Sequence, residues 1–224
     1  MEWSPLWISL KTSICATGIT FVLGIGMAYL VMKLKRGRLL IDGILTLPLV
    51  LPPTVLGFLL LVVFGQNSPL GIFLASGGIS VVFRWEGTVV AASVVSFPLM
   101  YRATRGAFEQ LDCNLIYVSR TLGISEWNIF LKVILPNCKQ SILAGTILSF
   151  ARTIGEFGAT MMLAGNIPGK TQTMATAVYT AVQSGNRALA YRWAVVILLI
   201  SAVTMIALNV VERQTSMKQE RNQF

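Results

Sequence analysis

The sequence predicts an all-α membrane protein, a polytopic helical bundle of about five transmembrane helices in a single domain spanning residues 1–224. Three observations predict it. Hydrophobic residues fill 54% of the 224 positions and charged residues 12%, about half the charged share of a soluble domain. The charges are clumped, leaving long stretches almost free of them. Several stretches approach the roughly twenty residues that cross a ~30 Å hydrocarbon core at ~1.5 Å per residue.

The first expected span is Ile8–Met32. No basic region precedes it, so a cleavable signal peptide is not expected. The second, Ile44–Phe64, contains Leu47-Pro48-Leu49-Val50-Leu51-Pro52-Pro53-Thr54. Each proline lacks a backbone N–H and crowds the carbonyl four residues earlier, so this helix must kink or break. Freed carbonyls in hydrocarbon need another helix or a wet cavity. Pro48, Pro52 and Pro53 therefore mark either a structural kink or the border of a translocation path. The third span, Gly87–Phe108, ends with Arg102 and Arg105, whose long side chains can snorkel to the headgroups.

The fourth span, Ile142–Leu163, is read as one continuous helix. On it Gly145, Ser149, Arg152, Gly155, Glu156, Ala159 and Thr160 share a small, polar face by spacings of three and four. Ile147, Phe150, Ile154, Phe157 and Met161 form a large apolar face opposite. Arg152 and Glu156 stand four apart, either as a pair that locks helix packing or as charges lining a substrate path. Ser149, Gly155 and Thr160 join them as candidate gate residues. The fifth span is Trp193–Val211.

Basic residues set the orientation. Lys33, Lys35, Arg36 and Arg38 follow the first span, and the positive-inside rule places them in the cytoplasm. An external N-terminus and a cytoplasmic C-terminus put twelve Lys and Arg inside and five outside, with Arg152 within a span. The net charge of +9 is then membrane topology and not a nucleic-acid footprint, since no basic patch is interleaved with stacking aromatics.

The inside segment 109–141 is too long for a turn. Gly123 suits a left-handed helix end, Ser125 an N-cap, and Glu126 the first turn of a short helix through Trp127 to Leu131. Leu135-Pro136 is expected to stop or redirect that helix. The result is a short amphipathic helix that either lies on the bilayer or docks a cytoplasmic partner.

Several chemistries are excluded. The chain has no histidine, which removes a histidine base or ligand. Cys15, Cys113 and Cys138 lack metal-ligand spacing, so no metal site is expected. With Glu156 the lone acid deep in a span, no catalytic constellation assembles.

At the 109–141 loop the sequence resembles the permeases of ATP-binding-cassette importers. Their cytoplasmic motif has a Glu-Ala-Ala start, a Gly four residues after the last Ala, and an apolar-x-Leu-Pro ending. Gly123 and Val133-Ile134-Leu135-Pro136 fit, while Tyr117-Val118-Ser119 stand at the Glu-Ala-Ala positions. Within that family the chain looks most like the molybdate permeases. The likeness rests on Leu47 to Pro53, Ser96-Phe97-Pro98-Leu99-Met100, Arg120-Thr121-Leu122-Gly123, Gly155-Glu156-Phe157-Gly158-Ala159 and Asn166-Ile167-Pro168-Gly169-Lys170-Thr171. The resemblance implies a type I importer fold and a homodimer of this chain in the cell membrane. It further implies a cytoplasmic ATPase dimer that carries ATP and Mg, and an external oxyanion-binding protein. It makes Gly123, Ser125, Glu126, Trp127, Leu135 and Pro136 the ATPase-coupling segment. The chain itself lacks a phosphate-cradling Gly-x-x-x-x-Gly-Lys-Ser/Thr loop, so no cofactor and no ATP hydrolysis are expected in it. Sulfate, thiosulfate or tungstate are the alternative cargoes. A secondary transporter or channel working without ATP is the rival from another class, opposed by the absence of an inverted repeat.

Overall fold

The computed structural model describes residues 3–34, 36–78 and 80–221, with side chains as far as Arg213. Lys35 and the side chains of Lys218 and Arg221, which enter the charge count, lie outside that description. The described residues form helices and turns without strands. They comprise α1 (Ser4–Lys33), α2 (Arg38–Thr46), a 3₁₀ turn (Leu47–Leu49), α3 (Pro53–Phe64), α4 (Pro69–Ser76) and α5 (Trp85–Glu109). After these come α6 (Cys113–Thr121), α7 (Glu126–Ile129), a π turn (Phe130–Ile134), α8 (Leu135–Ile154), α9 (Gly158–Leu163), α10 (Met174–Gln183) and α11 (Arg187–Arg221).

α5 is the central post, packed along α1 on one side and α8 on another. Small residues allow the approach. On α1, Ser9, Thr12, Ser13, Ala16, Thr17, Thr20, Gly24 and Ala28 are buried, all at helical spacing. A Cβ on Gly24 would lie 2.7 Å from Met100 Cγ, and one on Gly145 of α8 would lie 2.6 Å from Ala103 Cβ. Hydroxyls join the α1–α5 seam: Thr12 and Thr88 share a hydrogen bond of 2.9 Å, and Trp85 donates to Thr12 at 3.0 Å. A core of Val31, Met100, Tyr101 and Ile142 takes in Ile129, Phe130 and Ile134 from α7 and the π turn.

Among the described residues two helices are long and apolar enough by themselves to cross a bilayer, α1 and the Arg187–Arg213 part of α11. A third candidate is the bent pair Arg38–Leu49 and Pro53–Phe64, which turns through 108°. The proline-rich segment therefore breaks its helix outright, as its chemistry required. The fourth expected span departs from its reading. It is not one helix: α8 ends at Ile154, and residues 155–157 separate it from α9. No proline forces this break.

Candidate functional site

The two broken helices meet at their breaks. A Cβ on Gly158, the first residue of α9, would lie 3.0 Å from Pro53 Cβ and 3.1 Å from the Thr54 nitrogen. One turn along, a Cβ on Gly57 would stand 2.7 Å from Ala159 Cα. Two half-helices, α3 and α9, thus touch backbone to backbone, and Leu56, Ala159 and Leu163 form the apolar cluster behind them.

Glu156 organises the second break. Its Oε1 accepts the Ala159 N–H at 2.9 Å, which caps α9, and its Oε2 pairs with Arg152 Nη1 at 2.8 Å. The Glu156 side chain is 2% exposed and that of Arg152 34%. One carboxylate thus satisfies a helix start and a guanidinium together, which is what a buried charge requires. The break also corrects the single polar face. Ser149 is buried on α8 with its hydroxyl unpartnered, and Gly155 is exposed at the helix end. Glu156 and Thr160 are buried on the far side of the break. Pro52 and Pro53 are exposed at the start of α3, whereas Pro48 sits apart under the elbow, lining a different cavity.

The segment 112–136, expected to couple to an ATPase, is built from local signals. Asp112 caps α6 by accepting the Asn114 N–H at 2.9 Å, a cap the sequence reading did not use. Gly123 closes that helix at φ 73°, with the Ile124 N–H bonded to the Ser119 carbonyl at 3.2 Å. Ser125 N-caps α7 by accepting from Asn128 N–H at 3.4 Å. Arg120 donates twice to Glu126, at 2.7 and 3.2 Å, and that hydrogen bonding holds the Glu126 carboxyl below the usual glutamate range. The same bonds raise the Arg120 pKa. Pro136 behaves differently from its expectation. It neither stops nor redirects the helix, because the π turn shifts the bonding to Leu135 N–H onto the Phe130 carbonyl and leaves Pro136 in the first turn of α8. Leu135 packs against the core, and α7, the π turn and α8 run on without a gap as one rod. Ile129 and Phe130 root it, while Trp127, its ring 5.6 Å from that of Phe130, stands 63% exposed, and Tyr117, Val118 and Leu122 are exposed as well.

A polar cluster that the sequence reading missed ties α2 to α5. Asp42 Oδ1 accepts from the Tyr101 hydroxyl and pairs with Arg105, while Glu109 pairs with both Arg38 and Arg105. Its partners lie about sixty to seventy residues apart in sequence. The available clue was an aspartate just ahead of an apolar run. Among the described residues no group of three potential ligands could hold a metal.

The profile of the family described as binding-protein-dependent transport system inner membrane component matches residues 20–217. The chain belongs to that family. The molybdenum transport system permease protein ModB of Escherichia coli is 42% identical over 223 residues, covering 98% of this chain and 96% of the relative. A putative molybdenum permease of Bacillus subtilis, YvgM, is 40% identical over 205 residues, covering 89% and 88%. The sulfate permease CysT of Escherichia coli is more distant, at 31% over 226 residues, covering 95% and 82%. Among solved structures, an inward-facing MetNI methionine transporter superposes with a TM-score of 0.71 at 15% identity, covering 93% of this chain and 94% of that one. A bacterial alginate transporter gives 0.71 at 13%, covering 94% and 79%. These two show the fold: a helical bundle of the importer permease type. The homologues are membrane permease subunits and not enzymes.

Proposed function

We propose that this chain is the membrane-spanning subunit of an ATP-driven importer that moves molybdate into the cytoplasm. The observation that carries the reading is the match of 42% identity over nearly the whole chain to a molybdenum permease, against 31% to a sulfate permease. Two copies of the chain form the pore, each with five crossings, an external N-terminus and a cytoplasmic C-terminus. An external binding protein delivers the oxyanion, and a cytoplasmic ATPase dimer binds ATP and Mg.

Two features of the fold support the reading. The Trp127 surface offers a large exposed aromatic on a rooted rod, the kind of anchor a partner groove takes. Closure of the ATPases on ATP moves the two rods, and the bundles rock between outward-open and inward-open states. The junction of α3 and α9 serves as the gate, because short half-helices move more readily than a full span. Arg152 and Glu156 act first as a pair that fixes the break. The exposed part of Arg152 gives a passing dianion positive potential, tempered by Glu156 so that release stays fast.

The test is uptake of labelled molybdate into proteoliposomes holding the permease, its ATPase and the binding protein. Uptake is expected only with all three and ATP, and Trp127→Ala should weaken ATPase association by about tenfold or more. Uptake by the permease alone would sink the proposal. Preferred uptake of sulfate over molybdate would transfer it to the sulfate alternative. Single cysteines at Ser4 and Ser125, in a background without native cysteines, should label from opposite sides. External labelling of Ser125→Cys would overturn the orientation.

A further inference from the structure

α2 is an unusual element. It buries no residue completely, and Leu39 and Leu40 are 87% and 72% exposed. Its inner face is Arg38, Ile41, Asp42 and Leu45, spaced three and four apart and half-buried against α5. Two of those four are charged, and both charges are spent on α5. Asp42 meets Tyr101 and Arg105, and Arg38 meets Glu109. Arg105 bridges the two carboxylates, with its Nε 3.0 Å from Glu109. Tyr101 is fully buried, and the Asp42 side chain is 13% exposed. Low exposure raises the worth of an ion pair over that of a surface one.

Position gives the cluster its meaning. Arg105 and Glu109 occupy the last turns of α5, immediately ahead of α6 and the coupling segment. α2 runs straight into the 3₁₀ turn and the 108° elbow before α3. Behind the elbow lies a cavity of about 200 Å³, lined by Leu23, Leu45, Pro48, Ser93 and Phe97. The Ser93 hydroxyl there is buried and unpartnered. The elbow therefore has room to shift, whereas α2 is fastened at its base.

We infer that Asp42 is a positioning residue for transport: its clamp to Tyr101 and Arg105 makes α2 follow the end of α5, delivering movement of the coupling segment to the α3–α9 junction. The clamp is stiff where the elbow is loose, so displacement at α5 appears as rotation of α3. The inference rests on the proposed ATP-driven function, and its fluorescence readout needs no knowledge of the cargo.

The experiment uses the complete transporter in proteoliposomes, with an environment-sensitive fluorophore on Thr54→Cys in a background lacking native cysteines. Addition of ATP should change its emission in the parent protein. Asp42→Asn, similar in size, should reduce that change and the molybdate moved per ATP hydrolysed by about five- to tenfold, a span typical of lost coupling contacts. ATPase association and ATP turnover should stay within about twofold of the parent, since α2 touches neither in this account. Tyr101→Phe, which removes one hydroxyl and keeps the ion pair, should give a smaller loss. The exchange Arg38→Glu with Glu109→Arg should recover only the part of the Glu109→Arg loss that comes from the Arg38 pair, because Arg105 still lacks its Glu109 partner. A parallel fall of assembly, ATP turnover and transport in both Asp42→Asn and Tyr101→Phe would reduce the clamp to a folding support. An unchanged fluorophore response in Asp42→Asn would overturn the inference directly. A parent that responds to ATP but carries no molybdate leaves the clamp standing and sinks only the cargo.

Discussion

The molecule breaks two of the helices expected from its apolar runs, and it does so by opposite means. Between the 3₁₀ turn and α3 the break is covalent: Pro52 and Pro53 supply no N–H groups and crowd the carbonyls four residues earlier, and the helix ends there and restarts at Pro53. Pro52, at the N-cap, makes no side-chain capping bond. Between α8 and α9 nothing covalent interrupts the helix. There a buried carboxylate, Glu156, reaches forward to the Ala159 N–H and back to Arg152, making a helix end from a continuous helical pattern. The first break survives on its own chemistry. The second depends on one side chain and its partner.

Removing that side chain should give the largest effect. Glu156→Ala leaves Arg152 without its partner and α9 without its cap, costing about 3 kcal/mol, the lower end for a buried pair because Arg152 is partly exposed. Glu156→Gln keeps an acceptor for Ala159 and should cost less. The double change Arg152→Gln with Glu156→Gln should recover part of the loss of either single change. Thermal unfolding of the purified complex ranks the four variants, and equal midpoints for Glu156→Ala and the parent would refute the capping role.

The contact between the breaks comes next. A side chain at Gly57 would strike the Ala159 backbone at 2.7 and 2.9 Å, and backbone cannot swing aside as a side chain can. Gly57→Val should therefore destabilise by about 2 kcal/mol. A stability within about 0.5 kcal/mol of the parent would mean that α3 and α9 separate freely.

Smaller effects separate the two mechanisms. Pro53→Ala should cost no more than about 1 kcal/mol, chiefly through a freer unfolded chain, with the elbow retained. Gly155→Ala should stay within about 0.5 kcal/mol. Gly155 has φ −91° and open space around its Cβ position, so glycine is not what ends α8. A large loss of stability in Gly155→Ala would return the break to glycine and away from Glu156.

The smallest effect concerns Glu126, the exposed counterpart of Glu156 at another helix start. Arg120 hydrogen bonds lower its pKa, so its contribution is complete above the ordinary glutamate value of ~4.3 and is lost as pH falls through the lowered folded value. With Trp127 as the sole tryptophan, its emission should hold steady down to about pH 4.3 and change only below that. In Arg120→Gln the change should move up towards ~4.3. A transition at the same pH in both proteins would show that the clip does not govern the loop.

Much of this was legible in the residues, and the missed parts share a cause. Apolar run length gave α1 and α5 to within about four residues at each end, whereas α11 starts well before its expected span and ends well after it. Local chemistry gave Gly123 and Ser125 their cap positions and the prolines their break. The continuous reading of 142–163 failed because a carboxylate four residues after an arginine fits a helix as well as it fits a cap. Periodicity cannot choose between them. Pro136 was misread because a π turn redistributes the hydrogen bonds that a proline would otherwise forfeit, and no local signal announces one.

The sequence by itself determined that this chain is a helical membrane protein, where α2 and α3 part, and how the coupling segment is capped. Each follows from backbone chemistry or burial within a few residues of chain. The tertiary structure alone decided that Asp42 meets Tyr101 and Arg105, that Gly57 and Gly158 bring α3 against α9, and that Glu156 ends one helix to start another. Those outcomes depend on which distant groups can satisfy a buried charge or fill a gap. That is a property of the packed bundle and not of any stretch of it.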